Sequence, residues 1–233
     1  MKKFTSLILA LAMIFVCVAS LASCEKMGEG ASTYLDSRDV TGRDIKYVEI
    51  CVKDYGKMVV LLDATTAPKT VENFISLANS GFYDGLTFHR IIDGFMVQGG
   101  DPDADGSGGS ENEIFGEFAS NGHANDIKHL RGVISMARTG GDPNSASSQF
   151  FICHDDAAHL DGDYAAFGYV VEGISVVDDI VRSTMDKCMN YYGNSFAYWY
   201  YYGNGALIDN YGKPAKELQP TIKYVKVLDS WEK

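Results

Sequence analysis

The sequence has little positive charge and few of the motifs that mark the common enzyme classes. It contains 20 basic and 31 acidic residues, which gives a formal net charge of -11 at neutral pH. A surface of this charge repels nucleic acids and anionic lipid headgroups. It contains no G-x-S-x-G nucleophile elbow and no glycine-rich stretch followed by a P-loop lysine. These absences exclude a nucleic-acid-binding protein, an elbow-type hydrolase and a P-loop enzyme.

The apolar run at the N-terminus is too short to span a bilayer comfortably. Lys2 and Lys3 precede apolar residues 7–18, and small residues then lead to Cys24. This order predicts a secretory signal peptide over residues 1–23. The stretch LASC also resembles the bacterial lipobox, in which the cysteine is thioether-linked to diacylglycerol and becomes the mature N-terminus. We expect lipidation of Cys24; ordinary cleavage beside a chance cysteine is the alternative.

Cleavage after residue 23 would remove two lysines and no acidic residue. The mature chain would then carry 18 basic and 31 acidic residues, a net charge of -13. An acyl group would have to be the anchor, because such a surface offers no basic patch for lipid headgroups. Residues 24–44 are polar and aperiodic, and we interpret them as a flexible tether. The predicted location is extracytoplasmic, on the cell membrane or the outer membrane.

Three of the five cysteines lie beyond the predicted anchor. They are Cys51, Cys153 and Cys188, and an odd number argues against a disulfide framework. Cys51 and Cys153 occur in apolar, strand-like runs. We therefore expect small buried thiols at these two positions.

Strand-like segments dominate residues 45–233, which we assign to one domain because no boundary signal divides them. Each segment is rich in β-branched or aromatic residues and is bounded by turn residues. The segments are residues 45–52, 57–62, 86–91, 94–99, 132–137, 149–153, 165–171 and 221–228. A hairpin turn is predicted at residues 54–56. Eight such strands indicate a closed barrel or a sandwich.

Two segments have helical periodicity. In residues 65–81, Pro68 stands near a first turn and Gly81 just past a last one. The buried stripe predicted between them consists of Val71, Phe74, Ile75 and Ala78. Residues 174–183 predict a weaker second helix.

Residues 183–213, the Tyr-rich segment, show neither a helical nor a strand period. Seven tyrosines and a tryptophan occur there among glycine and asparagine. Three interpretations stay open: a flap packed on the barrel, a surface for an unknown partner or a glycan, and a disordered insertion.

Two metal-like patterns fail on closer inspection. Residues 101–112 match an EF-hand loop only in part, because Gly108 and Asn112 occupy positions where an apolar residue and a bidentate glutamate belong. His154 and His159 stand five residues apart with no evident third ligand. We expect neither a metal nor another cofactor.

Several segments, in order, resemble the cyclophilins, the peptidyl-prolyl cis-trans isomerases. They are APKTVENF, GFYDGLTFHRIIDGFMVQGGDP, GEFASNGHANDIKHLRGVISMAR, SSQFFI and LDGDYAAFGYVVEG. The similarity runs from Val48 to Val181 and resumes at Thr221. It implies a mainly β fold, a closed eight-stranded antiparallel β-barrel capped by two α-helices, with a substrate groove on its outer face.

The resemblance also implies roles for individual residues. Arg90 corresponds to the catalytic arginine. The implied substrate-binding residues are Phe95, Met96, Phe151 and Leu160 around the proline ring, Gln98 on the substrate backbone, Ala137 and Arg138 beside the preceding residue, and Gln149, Tyr164 and His159 along the groove. Without the resemblance, Phe95, Met96 and Phe151 would be interpreted as barrel core, and His89 as a buried structural histidine.

Three positions depart from the best-known eukaryotic pattern. Tyr164 replaces a common histidine, Arg138 replaces the usual asparagine, and His159 stands where a tryptophan contacts cyclosporin. A phenol can still donate a hydrogen bond, so we expect activity to survive. The smaller and more polar His159 predicts weakened cyclosporin binding.

The chemistry of proline isomerisation suits this residue set. Rotation about an X–Pro bond makes and breaks no covalent bond but must overcome about 18–20 kcal/mol of amide resonance. A permanently charged arginine can stabilise lone-pair density on the proline nitrogen, while apolar walls hold the ring. We expect an isomerase acting on proline-containing segments of exported proteins as they fold; a non-catalytic, cyclophilin-shaped binding module is the alternative.

Overall fold

The computed structural model describes residues 40–193 and 212–232. These ranges hold eight strands and two α-helices, with three short 3₁₀ helices at Ala119–Asn121, Ala158–Leu160 and Lys216–Leu218. The strands are β1 (Ile45–Val52), β2 (Gly56–Asp63), β3 (Thr87–Ile92), β4 (Met96–Asp101), β5 (Val133–Met136), β6 (Phe150–Cys153), β7 (Ala166–Glu172) and β8 (Ile222–Leu228). The helices are α1 (Pro68–Asn79) and α2 (Ser175–Tyr192). No helix in these ranges is both long and apolar enough to cross a membrane.

The eight strands form one antiparallel sheet in the order β3-β4-β6-β5-β7-β2-β1-β8. The predicted hairpin is confirmed: Val52 pairs with Gly56, and both Asp54 and Gly56 have positive φ angles, of 69° and 117°. Asparagine, aspartate and glycine tolerate this left-handed backbone best, which explains how the sequence marks the turn.

The expected closed barrel is not confirmed; the sheet is curled, and its edge strands β3 and β8 are not joined by a ladder. One isolated bridge, between Thr87 and Thr221, connects the two edges. The segment that precedes β8 takes up donors of β3 instead: the Phe88 N–H donates to Pro220 O at 2.9 Å and the Ile91 N–H to Gly212 O at 2.8 Å. These bonds satisfy the backbone of β3 without a full strand pairing.

Helix α1 begins at Pro68 and buries the stripe that the sequence indicates. Val71, Phe74 and Ala78 are buried, while Ile75 is only partly buried at the margin of the core. No residue of the helix caps its N-terminus. The carboxylate of Glu117, itself buried, accepts the N–H groups of Lys69 and Thr70 at 3.1 and 2.8 Å and thereby satisfies two donors of the first turn.

Helix α2 continues to Tyr192 instead of ending at residue 183. The prediction that the Tyr-rich segment lacks helical periodicity is therefore wrong for residues 183–192. Their inward positions extend the stripe of the first half, which explains the longer helix. Its buried residues are Val176, Val177, Ile180, Val181, Thr184 and Cys188. The flap, partner and disorder interpretations now concern residues 194–211, which lie outside the described residues.

Side chains on the two faces of the sheet form two separate cores. The inner core combines one face of each strand with the helices and centres on an aromatic group that includes Phe74, Phe150 and Phe167. The outer core holds Met96 and Phe151. Adjacent residues such as Phe150 and Phe151 serve different cores because strand side chains alternate.

The cysteines differ in their bonding. Cys153 and Cys188 are buried free thiols, and burial raises the pKa of each to about 12. Cys51 is buried as expected but is disulfide-bonded, so the prediction of a free thiol there is wrong. Its partner lies outside the described residues.

His89 on β3 is fully buried, which confirms its interpretation as a structural histidine. Neither ring nitrogen has a hydrogen-bond partner among the described residues. Burial disfavours the charged ring and lowers its pKa from 6.5 to about 4. Between pH 6.5 and about 4, the His89 ring is therefore neutral in the folded protein but protonated in the unfolded chain.

This difference predicts a loss of stability as the pH falls from 6.5 toward 4. Between pH 7 and 5.5, where most carboxylates remain ionised, His89 should remove about 1 kcal/mol from the free energy of unfolding. Urea denaturation at pH 7 and at pH 5.5 measures this change in the free energy of unfolding. His89→Phe should reduce the change, and His159→Gln, at an exposed ring, should leave it as in the wild type. Equal changes in the two variants would contradict the role given to His89.

Candidate active site

Nine of the eleven predicted site residues surround one small cavity on the outer face of the sheet. Its volume is about 150 Å³, and its lining consists of Arg90, Phe95, Met96, Gln98, Ala137, Arg138, Phe151, Leu160 and Tyr164. This volume resembles that of an engineered cavity that binds benzene, so it suits a single ring. The other two residues lie beside the cavity: Gln149 lines an adjoining groove, and His159 packs on Phe95 with ring centroids 5.2 Å apart.

Arg90 is held over the apolar wall by its neighbours on the β3–β4 hairpin. It lies opposite Gln98 in the ladder, and its Nη1 donates to Gln98 Oε1 at 3.3 Å and contacts Met96 Sδ at 3.7 Å. Its guanidinium carbon lies 5.8 Å from the centre of the Phe95 ring. The group keeps its charge, and these contacts fix where the charge points.

A relay of two glutamines joins the cavity to the loop that follows β4. Gln98 Nε2 donates to Gln149 Oε1 at 2.8 Å, and Gln149 Nε2 donates to the carbonyls of Gly106 and Gly108 at 3.1 and 2.7 Å. The buried Asp101 shapes this loop, the former EF-hand candidate, by accepting backbone N–H groups from within it. The aspartate thus organises the backbone of the groove wall.

His129 lies behind the cavity and was not found by sequence reasoning. Its ring stacks on Phe151 at 6.0 Å and 18°, and its nitrogens lie 3.1 Å from Asp161 Oδ1 and 3.0 Å from Ser135 Oγ. Burial lowers the pKa of His129, against an opposing effect of Asp161. A neutral ring held on both sides supports Phe151. No spacing in the sequence marks the contact.

His154 holds the turn that carries Phe95. Its backbone N–H donates to Phe95 O at 2.9 Å, and its Nδ1 accepts the Gly94 N–H at 3.0 Å. On the other side, Nε2 lies 3.2 Å from Asp178 Oδ1 of α2, and Arg131 also pairs with Asp178 at 2.8 Å. The histidine first considered as half of a metal pair therefore connects the pocket to helix α2.

A larger, polar groove of about 650 Å³ adjoins the cavity. Residues 106–113, Thr139, Ser145, Ser147 and Gln149 form its walls, and Gln98, Ala137 and Arg138 line both spaces. An apolar cavity that opens into a polar groove can bind an extended peptide, with the ring of one residue in the cavity and its neighbours along the groove. The cavity lining includes no carboxylate, thiol or imidazole, so it offers a positioned cation and apolar walls for chemistry.

The comparisons with known proteins agree with this geometry. The family model described as "Cyclophilin type peptidyl-prolyl cis-trans isomerase/CLD" matches residues 47–193. A peptidyl-prolyl cis-trans isomerase of Helicobacter pylori is 44% identical over 146 residues, 59% of this chain and 86% of the relative. The human peptidyl-prolyl cis-trans isomerase-like 3 is 43% identical over 135 residues, 58% of this chain and 81% of the relative.

Solved structures show the same architecture. A cyclophilin type peptidyl-prolyl cis-trans isomerase of Cryptosporidium parvum matches with a TM-score of 0.61 at 27% identity, covering 80% of this chain and 99% of that one. A second structure of that protein, in the presence of the dipeptide Ala-Pro, gives a TM-score of 0.60 at 27% identity, covering 79% of this chain and 99% of that one. This chain therefore belongs to the cyclophilin-type peptidyl-prolyl cis-trans isomerase family.

Proposed function

We propose that the chain isomerises X–Pro bonds in proteins that fold outside the cytoplasm, and that Arg90 is its catalytic residue. The observation that carries the assignment is the cavity of about 150 Å³, in which Arg90 faces Phe95, Met96 and Phe151. The Ala-Pro dipeptide used with the Cryptosporidium parvum relative supports a proline-containing ligand.

The proposed mechanism needs only positioned charge and exclusion of water. As the X–Pro bond twists, amide resonance is lost and the proline nitrogen gains lone-pair density. The Arg90 guanidinium stabilises this density, while the apolar walls hold the ring and Gln98 binds the substrate backbone. Lowering the barrier from about 19 to about 13 kcal/mol corresponds to about 10³ turnovers per second. A charge-assisted hydrogen bond in a desolvated site supplies several kcal/mol of this kind.

A protease-coupled assay on a proline-containing peptide tests the activity. Protein beginning at Glu25 should accelerate the slow phase that reports cis-to-trans conversion. The same protein should bind the peptide under the alternative of a non-catalytic module, but the slow phase would then keep its spontaneous rate. That result would refute the enzyme.

The location is a separate part of the proposal and rests on the N-terminal sequence. We propose that a lipid on Cys24 holds the domain outside the cytoplasmic membrane, with residues 24–44 as a tether. Bacteria producing the chain should incorporate a labelled fatty acid into it, and the protein should sediment with membranes. Cys24→Ala should lose the label and the sedimentation. A wild-type chain without label would leave ordinary cleavage as the explanation.

Cyclosporin binding should be weak, because the exposed His159 ring replaces a larger aromatic surface at the cavity rim. His159→Trp should tighten binding about tenfold by adding buried aromatic area. Titration of both proteins by fluorescence or calorimetry measures the difference. Equal affinities would contradict a role for this position.

A further inference from the structure

Arg138 is held at the junction of the cavity and the polar groove. Its guanidinium carbon lies 4.8 Å from the centre of the Tyr164 ring and 5.3 Å from that of Phe118. Its Nε donates to Asp163 O at 3.0 Å and its Nη1 to Thr139 O at 3.2 Å. The side chain is thus fixed in one place by two rings and two carbonyls.

These contacts leave the charge of Arg138 available to a ligand. Both hydrogen bonds go to neutral carbonyl oxygens, and within the described part of the chain no carboxylate pairs with this guanidinium. A guanidinium has five N–H donors, and the Nη2 pair is not used by either bond. A carboxylate binds most strongly to a cation whose N–H donors are held in place and are not already paired with another anion.

The cavity lining is positively charged, although the protein as a whole is negative. Two of its nine residues are arginines and none is acidic, whereas the whole chain has a net charge of -11. At about 0.15 M salt the Debye length is about 8 Å, so the two cations of the lining outweigh more distant surface acids for a bound group.

The reaction itself determines which residue of the substrate lies near the positive charge of Arg138. Arg90 must reach the proline nitrogen, and that nitrogen is bonded to the preceding residue. Because Arg90 and Arg138 line the same small cavity, the preceding residue lies close to both. We propose that this isomerase favours substrates with an acidic side chain immediately before the proline, and that Arg138 determines the preference. The inference rests on the proposed function.

The preference should be confined to that one position. A peptide that leaves the cavity past Arg138 enters the adjoining groove, whose wall includes Glu111 and Glu113. A carboxylate placed one residue further from the proline would meet these like charges. The two spaces therefore select differently along the same peptide.

Paired peptides test the proposal on the full chain in the protease-coupled assay. We compare Ala-Glu-Pro-Phe with Ala-Gln-Pro-Phe p-nitroanilide, and Glu-Ala-Pro-Phe with Gln-Ala-Pro-Phe p-nitroanilide, after subtracting the spontaneous rate of each. The first pair should show a kcat/KM three- to fivefold higher for glutamate, the size expected of a partly exposed ion pair. The second pair should show equal values or a lower value for glutamate. In 1 M NaCl the first ratio should approach one.

Variants at Arg138 separate this effect from a general loss of activity, because the ratio is taken within each protein. Arg138→Asn should bring the first ratio to about one, and Arg138→Lys should keep an intermediate value. A wild-type ratio of one, an unchanged ratio in Arg138→Asn, or the same glutamate advantage at both positions would overturn the proposal. Wild-type protein that accelerates none of the four peptides would refute the isomerase itself, and with it the preference.

Discussion

Replacement of Arg90 by alanine is expected to lower kcat/KM for a proline-containing peptide by about 10²- to 10³-fold, the usual effect of removing one preorganised donor from an active site. The guanidinium lies against the apolar wall formed by Phe95 and Met96. In the proposed mechanism its charge acts on the twisted amide more than on the planar one. Most of the loss should therefore appear in kcat.

Arg90→Lys is the matched control. Lysine keeps the positive charge but loses the planar fork that contacts Gln98 and Met96. We expect an activity between those of the wild type and Arg90→Ala. Thermal denaturation of all three proteins should give similar midpoints, because Arg90 is only half-buried. An alanine variant that retains half of the wild-type kcat/KM would show that the pocket catalyses rotation without this cation.

Elements with short-range signals were predicted well. The β1–β2 turn is marked by Asp54 and Gly56, and helix α1 by a proline at its start and a regular stripe. Helix α2 was predicted too short because its second half buries Thr184 and Cys188, which we did not count as core residues. Sheet closure was not predictable in the same way. It depends on how residues 212–220 lie against β3.

The cavity was predicted through family resemblance, while the residues that support it were missed. Each supporting contact joins positions that are distant in sequence: His129 lies against Phe151 and Asp161, and His154 reaches Asp178 on α2. Such contacts follow from the folded arrangement and leave no local period. The isolated histidines 129 and 154 were therefore interpretable only once their partners were known.

Phe74→Ala is expected to have the largest effect on stability. The Phe74 side chain is fully buried, and its ring lies 5.0 Å from Tyr83 and 5.3 Å from both Phe150 and Phe167. Truncation of a buried phenylalanine costs about 3–5 kcal/mol, since it removes apolar contacts and leaves a cavity. For a domain of this size the melting temperature should fall by about 6–20 °C. Differential scanning calorimetry measures both quantities.

Ile75→Ala, one position along the same helix, is the control. Ile75 lies partly exposed beside the core, so its truncation should cost less than half as much stability as Phe74→Ala.

Phe74→Ala should have only a small effect on catalysis. Phe150 contacts Phe74 and directly precedes the pocket residue Phe151, yet the two phenylalanines face different cores. Below its melting temperature, Phe74→Ala should therefore lose far less kcat/KM than Arg90→Ala; equal losses would mean that the inner core sets the geometry of the cavity directly.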